Sequence, residues 1–368
     1  MKRKQFLKKA TLGALAIAGV NTACNSNVAE KPGTPHIITD RKYKWKLVTT
    51  WPPNFPVMGE GCIMLAQWIR EMSGGRLEIN VYGGGELIPA LESFEAVSSG
   101  AVEMGHGAAY YWAGKHPATQ FFTAVPFGMN AQQMNAWLYS GGGMELWQEL
   151  YGNFNMITFP AGNTGVQMGG WFNREINALS DLKGLKMRIP GMGGKVFEKA
   201  GGTAVLSAGS EIYTNLERGV IDAAEWVGPY HDFKMGFHEI GKYYYAPGWQ
   251  EPGPALELFV NRRAYDRLSP DLQMIIQSAA YRLNIWTLSV FEAQNNLYLQ
   301  KILNETKVSV RIFSQGVLEG LKKFSDEVID ELIHKDPFSS KVMESYSKFQ
   351  KDIGEWAYYS EKLYYNLM

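Results

Sequence analysis

Cysteine is scarce in this sequence, with only Cys24 and Cys62 in 368 residues. A disulfide framework is thereby excluded, and a hydrophobic core has to hold the fold. Net charge is absent too, because 36 basic and 36 acidic side chains cancel. No electrostatic footprint for nucleic acid or for an anionic membrane surface is therefore expected. No stretch of about 20 uninterrupted apolar residues occurs, so no transmembrane helix is expected. Catalytic signatures are missing as well. There is no G-x-S-x-G elbow, and "GMGGKV" lacks the glycine spacing and the hydroxyl residue of a phosphate loop. "HEIGK" opens like a zincin but has Lys242 in place of the second histidine. A zinc site from His231, His238 and Glu239 is accordingly not expected, and a solvated helix face is the plainer reading.

What the sequence does have is length, glycine and aromatic side chains. A chain of 368 residues exceeds what one core supports, so two lobes of roughly 100–150 residues and a hinge between them are expected. The aromatic content of 13% and the 39 glycines suit a globular protein with a walled pocket. Residues 1–24, "MKRKQFLKKATLGALAIAGVNTAC", combine a basic start, a short apolar stretch and a small-residue end. That is the anatomy of an export signal. "RKQFLKK" approximates a twin-arginine signal with Lys4 in the second basic place, and Cys24 is a candidate lipid anchor although Asn21 spoils the lipobox. The expected destination is the periplasm. Residues 25–42 are polar and contain prolines, and read as a linker. Cys62, in "GEGCIMLAQWIREM", falls on the apolar face of a helix and reads as a small buried hydrophobe.

From "YKWKLVTTW" the pattern is strand, helix over about Met58 to Met72, strand "RLEINVY", then the Gly-rich turn "GGGELIP". Next comes a helix, a Gly turn and a short apolar strand in "ALESFEAVSSGAVEMGHGAAYYW", and the same unit returns in "YTNLERGVIDAAEWVGPY". Aligning the turns sets Gly100 on Gly219, Glu103 on Asp222, His106 on Glu225 and Tyr111 on Tyr230. A unit present once in each half predicts two α/β lobes whose related strand tips face each other. Residues 43–160 are assigned mainly to the first lobe and 161–262 mainly to the second. Residues 263–312 hold a helical pattern from about Ser269 to Glu305, long enough to cross both lobes, and the strand "KVSVRIF". Residues 313–368 form helices whose terminal Tyr, Trp and Phe suit packing or a subunit interface.

Four segments supply what a small carboxylate needs. "GNTGVQMGGW" gives Gln167 on a Gly-lined strand, "KMRIPGMGG" gives Arg188 on a strand stopped by Pro190, "DAAEWVGPY" gives Glu225 and the Trp226 carbonyl, and "GWQEPGP" gives Glu251. A guanidinium makes two charge-assisted bonds to a carboxylate through its planar fork. An amide oxygen, a carboxylate and a backbone carbonyl together suit a hard cation such as sodium or calcium rather than zinc. Taken singly, each has an ordinary reading: Arg188 a surface ion pair, Gln167 an edge-strand polar group, Glu251 a turn carboxylate, Trp171 and Trp226 core.

These four motifs, in this order, resemble the DctP-type extracytoplasmic solute receptors of TRAP transporters over nearly all of the chain from about Tyr43. They look like the branch that binds 2-oxo and 2-hydroxy monocarboxylates with a metal. The resemblance implies an α/β, two-lobed, periplasmic-binding-protein-like clamp with hinge strands and a long C-terminal helix that exchanges between two subunits of a homodimer. It implies that Arg188 pairs with the substrate carboxylate, that Gln167, Glu225 and the Trp226 carbonyl ligate a sodium or calcium ion, and that Glu251 lies beside them. Tyr110 or Tyr111 would be an aromatic of the cleft. The implied function is capture of a pyruvate- or lactate-like acid for delivery to a membrane permease, without catalysis. Two other classes are compatible with the residues: an enzyme acting on 2-oxo acids, for which His106 is the candidate base, and a sensor subunit.

Overall fold

The computed structural model describes residues 41–368; the export signal, Cys24 and nearly all of the 25–42 linker lie outside the described residues. Among the described residues eleven strands form two sheets. The first contains β1 (Tyr43–Thr49), β2 (Leu77–Tyr82), β3 (Met104–Gly107), β4 (Met156–Asn163) and β10 (Ala255–Asn261), in the order β2-β1-β3-β10-β4. The second contains β5 (Gly170–Phe172), β6 (Lys186–Arg188), β7 (Thr203–Val205), β8 (Ala223–Ala224), β9 (Tyr243–Ala246) and β11 (Ser309–Ile312), in the order β11-β9-β5-β8-β6-β7. In each sheet three parallel strands (β2, β1, β3 and β7, β6, β8) meet one antiparallel strand (β10 and β5), which pairs antiparallel on its other side with a strand of the original direction (β4 and β9). The two sheets thus share one strand order, with β11 added at an edge of the second. Strand β10 follows the second lobe in sequence but pairs inside the first sheet, because strand alternation carries no record of which sheet a strand joins.

Register confirms the repeat. Leu47 lies opposite Met104 as Met187 lies opposite Ala223, so β3 and β8 hold equivalent places. Both follow a helix closed by a glycine in the left-handed region, Gly100 at φ 83° and Gly219 at φ 68°. There an L side chain would be strained.

The chain crosses between the sheets at residues 164–169, at 247–254 and through the 36-residue helix Pro270–Glu305. The first two crossings lie side by side. Gln167 N–H donates to the Glu251 carbonyl at 3.2 Å, and Gly248 N–H donates to the Gln167 carbonyl at 2.8 Å. The approach is so close that a β-carbon at Gly248 would stand 2.3 Å from that carbonyl oxygen. The long helix buries Leu272, Ile276, Ala279, Ala280 and Leu283, and further on Phe291 and Ile302. It packs on β4 and on the helix Met58–Met72 of its own chain.

Two apolar clusters run through the molecule, each with residues from both sheets, because alternate side chains of a strand point to opposite faces: Val48 and Met187 lie in one, Leu47 and Ala224 in the other. Cys62 is fully buried in the second, and burial pushes its thiol up. The helices Gln315–Lys335 and Pro337–Ala357 return over the first, burying Val317, Leu321, Val342 and Tyr346. At the end of the second helix and beyond it, Trp356, Tyr358, Tyr359, Tyr364 and Tyr365 are exposed. Among the described residues no helix is long and apolar enough to cross a membrane.

Candidate functional site

Arg188 ends β6, and Glu225 stands one residue beyond the adjacent β8, so the shared register brings the two side chains together. Arg188 Nη1 donates to Glu225 Oε1 at 2.6 Å and to the Glu225 carbonyl at 3.0 Å; Nη2 donates to the Tyr111 hydroxyl at 3.2 Å. The pair is buried, with 1% and 0% of the side chains exposed, so the reading of Arg188 as a surface ion pair is corrected. Taking both charges out of water is costly, and excellent geometry has to offset that cost. The guanidinium carbon also lies 5.2 Å from the centre of the Trp226 ring.

Gln167 comes from the first crossing, between β4 and β5, rather than from a strand as the Gly-rich pattern suggested. The missing ladder frees its side chain to turn inward, where Nε2 donates to Thr164 Oγ1 at 3.1 Å. Glu251 comes from the second crossing and is 3% exposed. Crossing and strand tip therefore converge at the hinge. Their polar atoms are not all satisfied: Gln167 Oε1, Glu225 Oε2, Glu251 Oε2 and Arg188 Nε are buried with no hydrogen-bond partner. No hydrogen bond reaches the Trp226 carbonyl from any described residue. A native protein rarely leaves such groups orphaned, and a cluster of them marks the place of something else. Three hard side-chain oxygens beside a free guanidinium N–H suit a hard cation together with an anion.

Electrostatics agree. Burial pushes the Glu225 carboxyl up to about 7, with Arg188 pulling it down. Burial and then the neighbouring Glu225 hold Glu251 well above the usual carboxylate range, against Arg188, Tyr110 and Gln167. Two carboxyls and one guanidinium in a dry site leave more negative charge than Arg188 alone offsets once both ionise. The segment that carries Glu225 is anchored by Asp232. This buried carboxylate accepts from Trp171 Nε1 (2.9 Å), Tyr244 Oη (2.7 Å) and the N–H groups of Val227 and Gly228 (both 3.2 Å).

Aromatic rings wall the site. Both tyrosines belong to it: Tyr111 through Arg188, and Tyr110 beside Glu251, the two rings 4.7 Å apart. Trp51, just beyond β1, stands 6.4 Å from Tyr111 and 6.2 Å from Trp226. Sequence reading missed Trp51, although as the last residue of "VTTW" it stands just past the end of a strand, as Arg188 stands at the end of its own. Gln250, whose buried Oε1 also lacks a partner, was missed beside Glu251. His106 at the β3 tip is 1% exposed, accepts from Trp51 Nε1 at 2.8 Å and meets the Ala161 carbonyl with Nε2 at 3.0 Å. Burial lowers it to about 4, which keeps it neutral. Both ring nitrogens are engaged, so neither is left to take a substrate proton. His231 binds the Pro56 carbonyl and His238 stacks on Phe233. Among the described residues no group of three His, Cys, Asp or Glu side chains gathers for a metal, which leaves the mixed amide and carboxylate set.

Comparison with known proteins places the chain in a family. A relative from Nostoc sp., named a monocarboxylate 2-oxoacid-binding periplasmic protein, is 42% identical over 367 residues, which cover 100% of this chain and 98% of its own. A TRAP periplasmic solute-binding protein from Pseudoalteromonas atlantica, solved with bound sodium and pyruvate, superposes with a TM-score of 0.87 at 44% identity, over 89% of this chain and 100% of that one. Another from Colwellia psychrerythraea, solved with calcium and pyruvate, gives 0.86 at 43% identity with the same coverage. The model of the family described as bacterial extracellular solute-binding protein, family 7, matches residues 47–336. The chain belongs to that family, the solute-binding proteins of TRAP transporters.

Proposed function

We propose that this protein captures a small 2-oxo or 2-hydroxy monocarboxylate of the pyruvate or lactate kind, together with one cation, and delivers it to the membrane permease of a TRAP transporter. The observation that carries this reading is the cluster of orphaned buried oxygens, Gln167 Oε1, Glu225 Oε2 and Glu251 Oε2, beside the unpartnered Arg188 Nε. Arg188 would take the substrate carboxylate. Gln167, Glu225 and the Trp226 carbonyl would hold the cation, with Glu251 beside it, and Tyr110, Tyr111 and the Trp226 indole would wall the ligand. The cation supplies positive charge that a carboxylate and a neighbouring 2-oxo oxygen can share.

Charge bookkeeping separates the two candidate ions. Arg188, Glu225 and the ligand sum to one negative charge, which sodium neutralises while Glu251 keeps its proton. An ionised Glu251 adds a second, which calcium matches. The full engagement of His106 favours a receptor over an enzyme acting on 2-oxo acids. Export to the periplasm, and a homodimer joined through the exposed aromatic tail from Trp356 onward, complete the reading. A panel of short carboxylates read by thermal shift, with and without sodium, calcium and chelator, tests it. Stabilisation by pyruvate or lactate that vanishes with chelator and sodium-free buffer is expected. No response to any 2-oxo or 2-hydroxy acid overturns the reading.

A further inference from the structure

The segment from Trp51 to Val57, leaving β1 of the first lobe, meets the second lobe at two points. One is aromatic: Trp51 and Phe55 stand edge-on to Trp226 at 6.2 and 5.9 Å. The other is polar: His231 Nε2 lies 2.7 Å from the Pro56 carbonyl oxygen. A carbonyl only accepts, so Nε2 carries the hydrogen and donates it. His231 is fully buried between the rings of Phe55 and Phe291, at 4.5 and 4.7 Å, and its Nδ1 has no partner.

The Pro56 carbonyl is aimed by an uncommon turn. It also accepts the Met58 N–H at 2.6 Å, which closes a three-residue γ-turn around Val57 at φ 59°, ψ −61°. This region is strained for any L residue and most of all for a β-branched one. Surroundings hold the turn in place, since Val57 is 1% exposed and its N–H donates to Glu60 Oε2 at 3.2 Å. Strain of this kind persists where a site needs a group pointed in one direction. Here that direction is the second lobe, five residues past the Trp226 carbonyl.

We propose that His231 and the Pro56 carbonyl form a latch that holds the two lobes closed over the site, making His231 a positioning residue for ligand capture. The His231 N–H meets this carbonyl between two phenyl rings and has no other acceptor among the described residues. The bond therefore favours the closed arrangement and breaks only when opening admits water. Because the segment that ends in His231 begins at Glu225, the latch also seats Trp226 between Trp51 and Phe55. The proposal rests on the reading of the protein as a closing receptor.

The test uses the full chain with Cys24→Ser and spin labels at Glu71→Cys and Glu217→Cys, exposed positions of the first and second lobes; Cys62 is fully buried and stays unlabelled. Pyruvate dissociation is followed by tryptophan fluorescence in saturating sodium or calcium. His231→Phe, which keeps a ring and removes the donor, is expected to speed dissociation about ten-fold and to widen the interlobe distance distribution, and His231→Gln, which keeps an N–H, to recover most of both. The melting temperature of the ligand-free protein should move little in either variant. The latch is overturned if His231→Phe leaves rate and distances as in the wild type, if the Gln variant is as defective as the Phe variant, or if the ligand-free form loses as much stability as the bound one. A wild type that neither binds pyruvate nor narrows its distances with it refutes the receptor reading instead, and the distance comparison between wild type and variant in one buffer still decides the latch.

Discussion

The tips of β3 and β8 occupy equivalent places in two sheets of one strand order, each after a helix and a left-handed glycine. Their end residues differ in what they leave open. At the β3 tip His106 has a partner on each ring nitrogen, Trp51 on one side and the Ala161 carbonyl on the other. At the β8 tip Glu225 spends one oxygen on Arg188 and leaves the other buried and bare. A satisfied buried polar group rigidifies, whereas an unsatisfied one costs free energy until a partner arrives. Under the proposed function, one copy of the unit serves as a strut and the other as a receiver. Fold alone does not make this distinction, because both copies follow from the same helix, turn and strand.

The comparison is broken most directly at the receiver. Arg188→Ala is expected to lower carboxylate affinity by at least about 100-fold, since it removes the guanidinium and leaves Glu225 buried without a counter-charge. Calorimetry with pyruvate checks this, and unchanged binding removes the assigned role of Arg188. Glu225→Gln keeps the shape and removes the charge. Cation and carboxylate affinities should then fall together, each by roughly ten-fold or more. Loss of one without the other would mean that the two ligands do not share the site.

How much of this was legible in the sequence depends on the range of the information. The repeat could be read because Gly100 and Gly219 announce their turns locally, and the helix Met58–Met72 because its apolar spacing is local too. Arg188 and Glu225 could be placed at strand ends by Pro190 and by Gly228-Pro229. Their ion pair could not, because it depends on β6 pairing with β8, and pairing is a non-local choice. The same limit hid the approach of Gln167 to Glu251, which rests on backbone bonds between two crossings. It hid the place of β10 as well. The hard-cation reading came from the donor types and the ligand roles from the resemblance; the orphaned oxygens are the groups that the proposed cation would satisfy.

Acidity sharpens the contrast with a smaller effect. In the ion-free protein Glu225 binds its proton up to about pH 7, against an ordinary value of 4.5. The folded form therefore holds a proton that the unfolded chain has released. Ion-free stability contributed by this group falls as pH rises from about 4.5 to 7. A cation competes with that proton, so its affinity should climb over the same interval and level off above it. Melting scans from pH 5 to 8 with and without sodium should show the stabilisation by sodium growing with pH. A constant increment would mean that the carboxylate is already ionised and that the site is wetter than its burial indicates.

The smallest change in binding is expected at the strut. His106→Gln loses the geometry that accepts the Trp51 indole and reaches the Ala161 carbonyl together, so stability should drop by about 1–3 kcal/mol. Ligand and cation affinity should shift by no more than about three-fold, because His106 touches the site only through the Trp51 ring. Chemical denaturation beside calorimetry on the same protein separates the two quantities. If binding falls as far as in Glu225→Gln while stability holds, the β3 tip is a second receiver, and an acid–base role for His106 returns. If stability falls and binding holds, the equivalent tips have divided their work: one stiffens the wall that Trp51 presents, and the other meets the ligand.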